Sequence, residues 1–312
     1  MELIMFPHRQ RSSAFTVLFL LFVSFCLAAP AQEKIQDGVL LPQIFKDMQE
    51  LCISYLRPGQ IRERLDQVPV IYIPVGPIEW HGLHMPFGTD PLNAQTVALA
   101  SCRITGGLVW PALYFGSASL RAPEQAESIF GFEKGRYVWS VDFPGNIIPS
   151  AYCPAEILSL IARETIREAS TMGARIIVLL SGHAAGNHVA AIQRVATEVT
   201  ADSDLLVYYR GAWEKEPLYP EKDGHACSGE TSSMMAQTKS VDLEQLPPLS
   251  VRLKYTETAI VDDWQGRGRT NYTVSDEADP RRTASAEFGK AAVMHTVNEI
   301  SEEVQELVRQ LR

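Results

Sequence analysis

The chain has no Cys-x-x-Cys pair, and only 5 of its 312 residues are cysteine. That argues against a structural zinc ribbon, which is built from paired cysteines. Basic charge is also short: 28 Lys and Arg stand against 37 Asp and Glu, a net charge of -9. No nucleic-acid partner is expected from that balance. The chain shows no internal repeat, low-complexity tract or linker-like stretch. One domain over residues 32–312 is therefore the expectation. An arginine cluster able to grip phosphate is missing as well, which ranks a phosphoesterase low. What remains is ordinary soluble composition, 46% hydrophobic and 21% charged, enough to build a real core.

Only one run is long and apolar, and it lies near the N-terminus. Arg9 and Arg11 precede a nearly unbroken apolar stretch over residues 14–29, and Ala29-Pro30-Ala31 offers small residues at a cleavage spacing. This predicts a secretory signal peptide over residues 1–31, with the mature protein periplasmic or secreted. An uncleaved anchor is the competing reading, but the run falls short of the ~20 apolar residues a span needs. No stable membrane insertion is expected after cleavage. Export permits disulfides. Cys52, Cys102, Cys153 and Cys227 allow more than one pairing, and free buried thiols are an equal expectation.

Apolar residues at helical spacing (Ile44, Met48, Leu51, Tyr55) predict one or two helices over residues 32–67. Residues 68–75 read as a buried strand, 91–102 as a helix starting just after Asp90, and 107–115 as a second strand. Residues 116–142 carry no clear period and read as a loop that walls a site. A helix over 154–172, a buried strand over 175–180, a helix ending near residue 200 and a strand over 204–209 complete a βαβ rhythm. Residues 241–283 read as a surface excursion and 284–311 as a closing helix. The expected fold class is α/β, a three-layer α/β/α sandwich with a mostly parallel central sheet.

Chemistry-bearing residues collect just past two of these strands. Glu79, His81 and Asp90 lie in Glu79-Trp80-His81-Gly82-Leu83-His84-Met85-Pro86-Phe87-Gly88-Thr89-Asp90. His183 lies in Ser181-Gly182-His183-Ala184-Ala185-Gly186-Asn187. Open α/β sheets bind ligands at the carboxyl ends of their strands. Mixed imidazole and carboxylate donors suit zinc, manganese or iron. A capped turn would account for the first three residues alone. A second strand-end histidine converging on them favours a metal site.

The order Pro74-x-Gly76-x-x-Glu79-x-His81-Gly82-x-His84-x-Pro86-x-Gly88-Thr89-Asp90 resembles the signature of the creatininase (creatinine amidohydrolase) family. Its members are metal-dependent hydrolases of amide-type C–N bonds. Further likenesses are Phe143-Pro144-Gly145-Asn146-Ile147, His225-Ala226-Cys227-Ser228-Gly229-Glu230-Thr231-Ser232 and Asp279-Pro280-Arg281. The resemblance implies two divalent ions, zinc, manganese or iron. Asp90 would bridge them, Glu79 and His183 would complete one site, and His81 would belong to the other. It also implies proton transfer by His225 and a homo-oligomeric assembly.

The chain departs from creatininase at Ala185, where that enzyme carries a glutamate. Glu230 is the candidate replacement, against the plainer reading of a carboxylate at a helix start. His225 has a plain reading too, a loop histidine bonded to a backbone carbonyl. His84 is expected to be structural, and Trp213 and Trp139 are candidate pocket walls. The function expected is an exported amidohydrolase acting on a small amide or cyclic amide through metal-activated water. The rival from another class is a non-catalytic exported binding protein on a degenerate creatininase scaffold.

Overall fold

Four apolar runs form one parallel sheet: β1 (Val70–Val75), β2 (Leu108–Val109), β3 (Ile176–Ser181) and β4 (Leu206–Gly211). The protein is described here from a computed structural model, over residues 41–118, 147–215, 217–222, 224–253 and 274–311. The expectations on residues 1–31, on Trp139, on Phe143-Pro144-Gly145-Asn146 and on most of 116–142 lie outside the described residues.

The helices are α1 (Leu41–Leu51), α2 (Pro58–Gln67), α3 (Thr89–Thr105), α4 (Ala155–Thr171), α5 (Gly186–Asp202), α6 (Ser228–Gln237), α7 (Pro280–Thr283) and α8 (Ala286–Gln310). Among the described residues no helix is long and apolar enough to cross a membrane.

Strand periodicity explains the layers. Successive side chains point to opposite faces of a sheet. Val70, Tyr72, Ile176, Val178 and Leu180 share one core with residues of α1, α3, α6 and α8. Ile71, Ile73, Ile177 and Leu179 share the other with residues of α2, α4 and α5. A sheet covered on both faces needs continuous apolar strands, which is why β1 and β3 are buried at every position. Each fully buried Ile or Leu there contributes about 1.5–3 kcal/mol.

The sheet order is β2-β1-β3-β4. The chain leaves β1 toward one edge and β3 toward the other, so the topological switch point lies between these two central strands. Ligand crevices form outside the carboxyl ends of strands at such a point. Val75 and Ser181 end their strands opposite each other there.

The second strand is shorter than its sequence suggests, two residues rather than 107–115. The chain keeps company with β1 beyond Val109: Trp110 N donates to Tyr72 O (2.7 Å) and Leu113 N to Pro74 O (2.8 Å). The ladder fails because Pro74 of β1, which would donate the next rung, has no N–H to give. Pro74 offers only its carbonyl on that side, and Leu113 rather than Ala112 meets it. All four cysteines from Cys52 onward are free, and burial pushes the Cys102 thiol up to about 12.

Candidate metal centre

Two glycines let a helix start seat itself on the strand ends. A Cβ on Gly76 would lie 2.7 Å from the Asp90 Cβ, and one on Gly182 only 1.9 Å from the Asp90 carbonyl oxygen. Neither approach tolerates a side chain. Asp90 thus stands in the first turn of α3, against both central strands, and is 2% exposed. A carboxylate is favoured at that helix end by the backbone dipole.

Besides the group Glu79, His81 and His225, the donors close enough to hold an ion among the described residues form two sets that share Asp90. The first is Glu79, Asp90 and His183. His183 Nδ1 lies 3.1 Å from Glu79 Oε2 and 2.9 Å from Asp90 Oδ2. Its Nε2 donates to the Ser117 carbonyl at 3.2 Å, which assigns the ring proton to Nε2 in the neutral imidazole and leaves Nδ1 a lone pair. The His183 backbone is held on Ser181: the Ser181 hydroxyl donates to His183 O (2.9 Å) and accepts from His183 N (3.0 Å). Buried His188 sits 2.9 Å from the same hydroxyl, and its other nitrogen accepts from Ser117 N.

The second set is His81, Asp90 and Glu230. His81 Nδ1 donates to the Glu79 carbonyl (3.0 Å), so its Nε2 faces the cluster as the lone-pair atom. That Nε2 lies 3.1 Å from Asp90 Oδ1, 3.4 Å from Glu230 Oε1 and 3.8 Å from Glu79 Oε2. Glu230 stands in the first turn of α6 and serves two ends. Its Oε2 accepts the Ala226 N–H at 2.6 Å, a helix-start contact, while Oε1 faces His81. Ala226 takes a left-handed φ of 55° to make that turn. The helix-start reading of Glu230 is thus met by one oxygen, and the other lies among the candidate donors.

His225 stacks on His81, ring centroids 4.2 Å apart, and its Nε2 donates to the Trp80 carbonyl at 2.6 Å. The loop-histidine reading is thus correct as geometry, and the ring still borders the cavity. His84 does not join the cluster. It is buried behind it, 3.0 Å from the Thr231 hydroxyl, and burial with the nearby His81 charge pushes it down to about 3. Trp213 does line the cavity, held through its carbonyl by the Arg210 guanidinium. Ala185 lines it too and brings no donor atom.

The electrostatics say what this arrangement wants. Lone-pair nitrogens face carboxylate oxygens, and acceptors facing acceptors need a proton or a cation between them. His81 Nε2 and Asp90 Oδ2 complete no hydrogen bond among the described residues, although both are buried. With protons as the only positive charge, burial lowers the two imidazoles. The carboxylates outweigh it, lifting His183 to about 10 and His81 well above its ordinary value. In return, despite burial, the imidazoles hold Glu79 well below the carboxylate range and Glu230 at about 2. Burial and the Glu79 charge raise Asp90 instead. Divalent ions fit such a set: the donors are hard or borderline, and each histidine has its second nitrogen fixed by a carbonyl.

Sequence reasoning missed the supports. Tyr152 donates from its hydroxyl to Glu79 Oε1, and Ser117, Ser181 and His188 frame His183. His188 is visible five residues beyond His183, yet no ligand spacing marks it. The other three carry no local signal at all.

A cavity of about 460 Å³ opens on the cluster, walled further by Asn93, Trp213, Tyr219, Met234 and Phe288. That size is in the range of small-molecule sites.

No curated protein matches the chain. Among solved structures it is similar to creatinine amidohydrolase (creatininase), at 24% identity and a TM-score of 0.61, over 83% of this chain and 98% of that one. It is also similar to the manganese form of creatininase, at 24% identity and a TM-score of 0.59, covering 83% and 99%. A zinc–zinc creatininase variant gives 24% and 0.58, covering 82% and 98%. The family profile described as creatininase, creatinine amidohydrolase, matches residues 54–304. With the strand-end cluster, the fold and that span in agreement, the chain belongs to the creatininase family.

Proposed function

We propose that this chain is a metal-dependent hydrolase that cleaves a C–N bond in a small amide or cyclic amide. The observation that carries the reading is the pair of donor sets sharing Asp90, with His81 Nε2 and His183 Nδ1 both turned inward as lone pairs. Glu79, Asp90 and His183 would hold one divalent ion, and His81, Asp90 and Glu230 the other. Zinc and manganese are the first choices, since creatininase has been solved with each. When bound, such ions polarise a carbonyl oxygen and bring the pKa of water toward ~7.

The chain's own residues supply the rest. Asp90 keeps the two donor sets in register from a rigid helix start. His225 borders the cavity beside His81, with its Nε2 proton committed to Trp80, so its Nδ1 would take up the proton given off by the attacking water and pass it to the leaving nitrogen. Trp213, Phe288 and Met234 exclude water from one side and accept a hydrocarbon part of the substrate. Glu230 takes the place of the carboxylate that Ala185 lacks. Creatinine itself is not singled out by these residues.

The test is metal analysis of the purified chain, followed by a hydrolysis screen over lactams and formamides with zinc and with manganese. Stoichiometric metal and metal-dependent turnover support the reading. Tight ligand binding with no turnover in wild type or in Asp90→Ala would place the protein in the binding class instead.

We also propose, from the N-terminal sequence alone, that the chain is exported and acts outside the cytoplasm. Determining the N-terminus of the mature protein tests this, with a start at residue 32 expected. A homo-oligomer is proposed on the family likeness, and sedimentation decides it.

A further inference from the structure

We propose that Tyr152 is a positioning residue that holds Glu79 to the metal through a single oxygen. This deepens the metal reading above and rests on it. The Tyr152 hydroxyl donates to Glu79 Oε1. The other oxygen, Oε2, is the one that faces His183 Nδ1 at 3.1 Å and His81 Nε2 at 3.8 Å. A carboxylate with one oxygen occupied by a donor presents one oxygen to a cation. Without that donor the carboxylate is free to rotate, and neither oxygen is held toward the ion. One-point binding keeps a coordination position open for water or substrate, as catalytic sites require.

Tyr152 is placed for this by a strap tied at three points. Ala151 pairs antiparallel with Ile78, its N–H bonded to the Ile78 carbonyl at 2.8 Å. Trp80 N donates to the Ser150 hydroxyl at 3.0 Å. Cys153 N donates to the Gly116 carbonyl at 2.8 Å. Two ties run to the loop that carries Glu79. The third runs to the residue before Ser117, whose carbonyl orients His183. The strap thus spans the supports of both ligands, and Tyr152 borders the cavity between them, 6.0 Å from the His183 ring.

The test uses the full-length chain and the metals alone. Zinc and manganese dissociation constants are measured by chelator competition for wild type and Tyr152→Phe, together with the thermal midpoint of each metal-free protein. The expected result is a loss of about 10–100-fold in affinity for one ion. The second ion should hold, and the metal-free midpoint should fall only modestly, by the one hydrogen bond to buried Glu79 that Phe cannot make. The manganese resonance spectrum should change as the carboxylate turns. Equal affinities and spectra in the two proteins would overturn the proposal while leaving the metal reading intact. Affinity for both ions falling together with a large drop in the midpoint would also overturn it, by showing that Tyr152 acts through packing. If wild type takes up no metal, the metal reading itself falls, and this inference with it.

Discussion

The two donor sets around Asp90 use the same chemistry and differ in how they are held. Glu79, Asp90 and His183 are each no more than 6% exposed, and every one is braced from behind. Tyr152 holds Glu79, two glycines seat Asp90, and Ser181 with Ser117 fixes His183. The other set depends on Glu230, whose side chain is 29% exposed and whose second oxygen is spent on a helix start. Preorganised donors lose little freedom on binding an ion, so the braced set should bind tightly and the other should exchange.

The largest expected break is Asp90→Ala, because it removes the shared member. Metal content should fall from about two ions per chain to less than one, and turnover by roughly 10³-fold or more. Elemental analysis beside a rate assay checks this. Retention of both ions would show that the sets are independent.

Glu230→Gln separates the sets. The amide oxygen can still accept the Ala226 N–H, so the helix start and the thermal midpoint should survive. The charged donor is gone, so one ion should leave while the other stays, and turnover should drop roughly 100-fold or more. Loss of both ions, or of neither, would contradict the tight-and-loose picture.

Protons should report the same contrast. Without metal, the raised His183 and His81 are protonated near neutral pH. Groups raised on folding stabilise the metal-free protein below their unfolded pKa, and that stability is lost as pH rises through the folded value, about 10 for His183. Metal binding runs the other way, because it must displace those protons. Affinity should rise with pH, releasing about one proton per histidine engaged. Calorimetry in buffers of different ionisation enthalpy counts them. Uptake independent of pH between about 6 and 9 would mean the imidazoles are not ligands.

How much of this was readable beforehand follows from which interactions are local. The apolar runs at 70–75 and 176–181 announce buried strands because a doubly covered strand must be apolar at every position. Glu79, His81, Asp90 and His183 announce themselves by lying just beyond strand ends. The short β2 was misjudged because strand propensity does not register that Pro74 of the neighbouring strand lacks the N–H the next rung needs. Glu230 was readable as two alternatives, and the fold places one oxygen on the helix start and the other facing His81. Tyr152 lies 73 positions from Glu79 in sequence and Ser117 lies 66 from His183, so only the folded chain brings them together.

The smallest effect tests the bracing itself. Ser181→Ala deletes a hydroxyl that contacts His183 O, His183 N and His188 Nε2 in a fully buried place. It leaves those groups without a partner and touches no donor atom. A cost of about 1–3 kcal/mol in unfolding free energy is expected. Affinity at the tight site should weaken about 10-fold, the lower end for outlying supports, with the loose site unchanged. The counterpart behind the loose set is Thr231→Val, which removes a hydroxyl facing His84 Nε2, Met85 Sδ and the Ala226 carbonyl and should cost about 1–3 kcal/mol. Denaturant titration of both metal-free variants, followed by chelator competition, sets the two against each other. If Thr231→Val weakens metal binding as much as Ser181→Ala does, the sets are braced equally and the looseness of Glu230 has no consequence.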